Sequence, residues 1–151
     1  MTAVETPVEI LLVEDNEGDA RLTREALKGG RLRNTLHHVE DGVEAMAFLR
    51  REGPFANGPR PDLILLDLNL PRMDGREVLA AIKRDDDLRH IPVIILTTSN
   101  DDKDVLRAYH LHANCFITKP VDLDRFLEVV RSIETFWLTI VRLPPNGRGS
   151  V

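Results

Sequence analysis

Four short apolar runs in this chain each end on a residue able to do chemistry. Leu63-Ile64-Leu65-Leu66 ends on Asp67, Ile10-Leu11-Leu12-Val13 runs into Glu14-Asp15, Val93-Ile94-Ile95-Leu96 runs into Thr97, and Cys115-Phe116-Ile117 leads to Lys119-Pro120. Three carboxylates, a hydroxyl and an ammonium are the parts needed to bind a divalent cation and a phosphoryl group. Asp67 is the candidate reactive centre, a lone carboxylate where a buried strand meets solvent, followed at once by Leu68-Asn69-Leu70-Pro71-Arg72-Met73-Asp74-Gly75. Such a carboxylate can attack a phosphoryl donor to form an aspartyl-phosphate. The Thr97 hydroxyl can then donate to a phosphoryl oxygen, and Lys119 can bridge aspartate and phosphate.

If the first and third runs lie side by side, Glu14, Asp15 and Asp67 share one pocket. Two unit charges about 4 Å apart repel by roughly 4 kcal/mol at an effective dielectric of about 20. Such a cluster therefore calls for a cation or a raised pKa. Oxygen-only ligation points to Mg²⁺, which keeps several waters and uses one or two carboxylates, and Asn69 can add its main-chain carbonyl.

The elements that must position these residues alternate short apolar runs with amphipathic segments, the pattern of a parallel sheet covered by helices on both faces. Strands are expected near 9–13, 35–39, 63–67, 92–97 and 115–117, the second being the most polar and so an edge strand. Helices are expected near 17–28, 43–51, 75–84, 101–111 and 123–138, with Gly29-Gly30 stopping the first and Asp74-Gly75 and Asn100-Asp101 starting the third and fourth. Residues 52–61, with three prolines and two glycines, read as a turn-rich loop. In an open parallel sheet, ligands bind beyond the carboxyl ends of the strands where strand order reverses, and all the polar run-ends fall at that edge.

The 151 residues, 42% apolar and 30% charged, fit one soluble domain with a real core. We divide the chain into an N-terminal tail (1–7), a folded domain (8–140) and a C-terminal tail (141–151) too short for an output domain. No apolar run approaches the roughly 18 residues needed to span a bilayer, and no signal peptide is evident, so a cytoplasmic protein without a membrane association is expected. A net charge of -5 argues against nucleic acid as a partner. The single Cys115 reads as a small core residue.

With Glu14-Asp15, Asp67, Thr97 and Lys119-Pro120 standing in that order and approximate spacing, the chain resembles the receiver domain of two-component response regulators over about residues 8–138. The resemblance implies a flavodoxin-like, doubly wound five-stranded parallel sheet in the order 2-1-3-4-5, an order for which receivers and flavodoxin are the standard examples. It also implies Asp67 as phosphoacceptor and Glu14, Asp15, Asp67 and the Asn69 backbone as Mg²⁺ ligands. Thr97 and Lys119 become the catalytic and switch pair, with a cis peptide before Pro120 and Phe116 in the rotating aromatic position. Two positions tune that pattern. Thr98 stands where the family usually has a very small residue, and Phe116 replaces a frequent tyrosine and so lacks its hydroxyl. Loop 52–61, the segment 97–102, the string Leu111 to Lys119 and the ending Ile133-Glu134-Thr135-Phe136-Trp137-Leu138 look like the stand-alone regulators paired with bacterial phytochromes. This narrower likeness implies a phytochrome-type histidine kinase as phosphodonor.

Each of these residues alone has an ordinary explanation as a cap, turn or solvated charge; their shared placement at one sheet edge favours the functional one. His37-His38, His90, His110 and His112 lack a common face and read as solvated or core-edge side chains. The runs Asp85-Asp86-Asp87 and Asp101-Asp102 read as a loop and a first helical turn. In the last helix, Leu123, Phe126, Leu127, Val130, Ile133 and Trp137 share a face that can cover the sheet, while Val129, Phe136 and Ile140 widen the apolar arc beyond what one sheet face can bury. We read Val129, Phe136, Trp137 and Ile140 as part of a homodimer or partner interface, formed with the fourth helix and fifth strand, through which the protein signals.

Three other classes meet the same residues. A Mg²⁺-dependent phosphohydrolase would also form an aspartyl intermediate, but has an acid two residues after its nucleophile where this chain has Asn69. A phosphorylation-independent adaptor or dimer scaffold would leave the acidic site without a use. A flavin or nucleotide binder is weaker still, since Glu14-Asp15-Asn16-Glu17 puts acid where phosphate-cradling glycines are needed. The expectation is therefore a phosphoacceptor, not an enzyme acting on a separate substrate.

Overall fold

Strands buried on both faces need near-continuous apolar sequence, and β1 (Val8–Val13), β3 (Leu63–Asp67) and β4 (Val93–Thr97) have it. β3 and β4 are buried at every residue. β2 (Asn34–Val39) is half-buried along most of its length, and β5 (Cys115–Thr118) is short. All pairings are parallel, and the order is β2-β1-β3-β4-β5, as the family resemblance implied. The computed structural model describes residues 7–28, 33–97 and 115–132.

Alternate side chains along the strands feed two cores. Leu11, Val13, Ile64, Leu66, Val93 and Ile95 point to one face, against α2 (Gly42–Arg50) and α3 (Gly75–Arg84). Ile10, Leu12, Leu63, Leu65, Ile94 and Leu96 point to the other, against α1 (Glu17–Lys28) and the C-terminal helix Leu123–Ser132. Among the described residues no helix is long and apolar enough to cross a membrane.

Local chemistry fixes where the helices begin and end. Asp41 caps α2 by accepting from the Glu44 N–H at 2.8 Å. Asp74 and Glu77 form a reciprocal capping box at the start of α3. α2 ends one residue earlier than expected because Arg51 takes the left-handed conformation (φ 57°). Its N–H reaches Phe48 O and the Glu52 N–H reaches Ala47 O, a Schellman closure. The loop after it contains a 3-10 turn, Gly53–Phe55.

Three expectations need amendment. Val129, assigned to the outward interface, is 8% exposed and packs in the second core beside Phe126, because a spacing of three residues keeps the two on one helix face. Leu123 and Leu127, expected to share the covering face, are only half-buried. Cys115 is half-buried rather than enclosed. Thr98, the expected helix 101–111, His110, His112, Phe136, Trp137, Ile140 and both tails up to residue 6 and from 141 lie outside the described residues.

Candidate functional site

Strand register aligns the chemistry. Val13 pairs with Leu66, so Glu14 follows opposite Asp67. Asp67 pairs with Leu96, which sets Thr97 one step further along β4. Thr97 pairs with Thr118, which sets Lys119 one step beyond β5. The Lys119 N–H closes this edge by donating to Thr97 O at 2.7 Å. Residues 14, 67, 97 and 119 thus meet at the carboxyl edge of the sheet because their strands end in register.

Lys119 is the centre of the cluster. Its Nζ donates to Asp67 Oδ2 at 2.8 Å and to Asp19 Oδ2 at 3.0 Å, and it lies 2.7 Å from Glu14 Oε1 as an ion pair. Burial alone would lower the ammonium's pKa, but hydrogen bonds to Asp67, Glu14 and Asp19 outweigh it and hold the pKa well above the usual lysine value. Asp67 is buried, and its Oδ1 accepts from the Asn69 N–H at 3.0 Å. Asn69 itself is exposed at the top of β3. Asp15 is exposed beside the fully buried Glu14, and oxygens of Glu14, Asp15 and Asp67 lie within 4.8 Å of one another.

Glu14 is the group most perturbed by this crowding. Burial, then a hydrogen bond and like charge from Asp67, push its carboxyl up to about 7 against the opposing pull of Lys119 and the Asn16 N–H. Thr97 is also buried, and its Oγ1 has no hydrogen-bond partner among the described residues. An unpaired buried hydroxyl is costly in a folded protein unless a ligand supplies its partner. Phe116 is half-buried against the first core, and Pro120 is exposed after a cis peptide from Lys119.

The loops around the cluster are held from outside. A Cβ on Gly75 would fall 2.3 Å from Asp67 O and 2.6 Å from Leu68 Cα, so only glycine lets α3 start against the end of β3. The Gly75 N–H donates to Leu68 O at 2.9 Å. Arg72, at φ 66°, donates from Nη1 to Asp41 Oδ2 at 3.3 Å and ties the loop after β3 to the cap of α2. On the other side, His38 Nε2 lies 2.7 Å from Glu14 O.

Two of these residues were not singled out from the sequence. Asp19 has a visible signal: it stands four residues after Asp15 at a helix start, where Asn16 Oδ1 caps its N–H at 2.8 Å. His38 has none, since its contact depends on the β1/β2 register. Of the other histidines among the described residues, His37 is half-buried with its Nε2 2.6 Å from Glu9 Oε1, and His90 is exposed. None joins an acidic cluster able to hold a metal among the described residues.

A sequence model of the response regulator receiver domain matches residues 10–131. Response regulator Rcp1 of Synechocystis sp. is 52% identical over 138 residues, covering 91% of this chain and 94% of its own. Its crystal structure in a Mn²⁺-bound form has a TM-score of 0.72. The phosphorylated cyanobacterial phytochrome response regulator RcpA is 52% identical, with a TM-score of 0.73 and coverage of 92% of this chain and 99% of its own. The bacteriophytochrome response regulator AtBRR is 42% identical, with a TM-score of 0.81 and coverage of 87% and 96%.

Proposed function

The chain belongs to the response regulator receiver family, and from that premise we propose that it accepts a phosphoryl group on Asp67 from a phytochrome-type histidine kinase. The observation that carries this reading is the Lys119 ammonium 2.8 Å from the Asp67 carboxylate, beside a cluster of three carboxylates able to share a cation. An Asp67 oxygen attacks phosphorus, and the bond from phosphorus to the donor histidine nitrogen breaks. Its electron pair returns to the imidazole, which takes a proton from solvent. Lys119 carries charge on the phosphoryl oxygens, and Thr97 Oγ1 gains an acceptor that it lacks among the described residues.

Glu14, Asp15, Asp67 and the Asn69 main chain would hold Mg²⁺, since the donor set is all oxygen and three carboxylates crowd one corner. When bound, the cation neutralises those carboxylates and the incoming phosphoryl charge. The raised pKa of Glu14 fits a site waiting for that neutralisation.

Signalling follows from the same residues. Thr97 and Phe116 sit on neighbouring strands, so a Thr97 drawn toward phosphate leaves room for Phe116 to move inward, biasing two packed states. We place the readout on the surface of the fifth strand and last helix, and the apolar residues Phe136, Trp137 and Ile140 in the sequence that follows favour a homodimer. In this reading the protein works in the cytoplasm as a phosphoacceptor, without nucleic acid or membrane. The test uses an autophosphorylated phytochrome-type kinase carrying labelled phosphate. Label moves to the native chain and stays on the kinase with Asp67→Asn; retention on the kinase in both cases would reject this donor.

A further inference from the structure

Resting on the phosphoacceptor reading, we propose that Asp19 is a positioning residue that occupies the phosphoryl-binding donor of Lys119 until the phosphoryl group displaces it. A lysine ammonium has three N–H donors. Here two donors are committed, to Asp67 at 2.8 Å and to Asp19 at 3.0 Å, and Glu14 Oε1 stands 2.7 Å away as an ion pair, so carboxylates enclose the ammonium on three sides. A phosphoryl oxygen that reaches Lys119 therefore takes the place of one of these partners.

Geometry selects which. The Glu14 side chain is 1% exposed and cannot swing into water, and Asp67 is the atom donor to the new bond. The Asp19 side chain is 37% exposed and makes the longest of the three contacts. It stands in the first turn of α1, where the backbone is held independently by Asn16 Oδ1. Its carboxylate can therefore rotate into solvent while the helix stays capped. The cost of releasing it is low, because an exposed carboxylate recovers hydration that a buried one cannot.

Two consequences follow. In the resting protein Asp19 adds a fourth negative charge beside the path of an anionic donor and masks the one ammonium there, so it slows phosphorylation. After transfer, the released Asp19 stands as a carboxylate without its ammonium partner in the first turn of α1, which makes that turn a second place where phosphorylation is legible.

The test compares the native chain with Asp19→Asn and Asp19→Glu, following mass gain with acetyl phosphate and Mg²⁺ under single-turnover conditions, and measuring Mg²⁺ affinity by calorimetry. Asp19→Asn is expected to phosphorylate about three- to tenfold faster, the effect of removing one nearby charge, while Asp19→Glu stays close to the native rate. Mg²⁺ affinity should change little in either variant, because Asp19 lies outside the group of three oxygens that can share an ion. Amide spectra of the native chain should show residues 17–19 shifting on phosphorylation. Equal rates for all three chains, or a slower Asp19→Asn, overturns the inference, the latter by showing that Asp19 holds Lys119 in its working position. A native chain that gains no phosphoryl group removes the phosphoacceptor reading itself, and this inference with it.

Discussion

Glu14 sits fully buried between an ammonium and a carboxylate, with its carboxyl pushed up to about 7, first by burial and then by Asp67. A carboxyl whose pKa is higher folded than unfolded holds its proton longer in the native state. Its stabilising effect is complete below the ordinary carboxylate value of 4.5 and is lost as pH rises through about 7. For the metal-free protein, urea unfolding should therefore show roughly 2 kcal/mol of stability lost to this group between pH 5 and pH 8. Glu14→Gln should flatten that slope, and saturating Mg²⁺ should do the same in the native chain, since a bound cation replaces the proton. An unchanged slope in Glu14→Gln would show that another group sets it. This residue, with Asp15, Asp67 and Lys119, was legible in the sequence because each closes an apolar run at the same sheet edge. Asp19 was passed over, because its signal lies in the first turn of a helix and reading strand ends alone misses it. The Glu14–His38 contact was hidden for a different reason: it arises from the pairing of two strands 24 residues apart.

The site keeps its shape because helices are brought unusually close to strand ends. Gly75 is the clearest case, with no room for a methyl group between α3 and the Asp67–Leu68 backbone. Gly42 allows a similar close approach between α2 and the loop after β3, where a Cβ would fall 2.0 Å from Met73 O. Gly75→Ala should cost about 1–3 kcal/mol of stability by overpacking. It should also weaken Mg²⁺ binding, because the backbone forced to move is that of Asp67 itself; unfolding titration and metal calorimetry report the two effects separately. Wild-type metal affinity in a destabilised Gly75→Ala would show that the β3 end tolerates the shift. At this scale α1 and α3 were readable to the residue from capping and periodicity. α2 was not, since its end depends on Arg51 adopting a left-handed conformation that no side-chain signal announces. Nor was the inward face of the last helix, where the apolar arc is too wide for periodicity to choose between Val129 and its neighbours.

Across the whole molecule, the parallel sheet gathers residues from the ends of four strands into one corner. Strand order could not be fixed by composition or periodicity; it came from family resemblance, which is why the convergence of residues 14 and 67 was conditional until the β1/β3 pairing was seen. Self-association is expected to rise with concentration, and Trp137→Ala should weaken it in sedimentation equilibrium, whereas a chain that stays monomeric throughout would reject the dimer. Everything rests, however, on whether Asp67 takes a phosphoryl group. The direct measurement is intact-protein mass after incubation with a small acyl phosphate, with and without Mg²⁺, for the native chain and Asp67→Asn. A gain of one phosphoryl group that requires Mg²⁺ and is absent from the variant is the expected result. A gain that persists in Asp67→Asn, or no gain in the native chain under either condition, would contradict it.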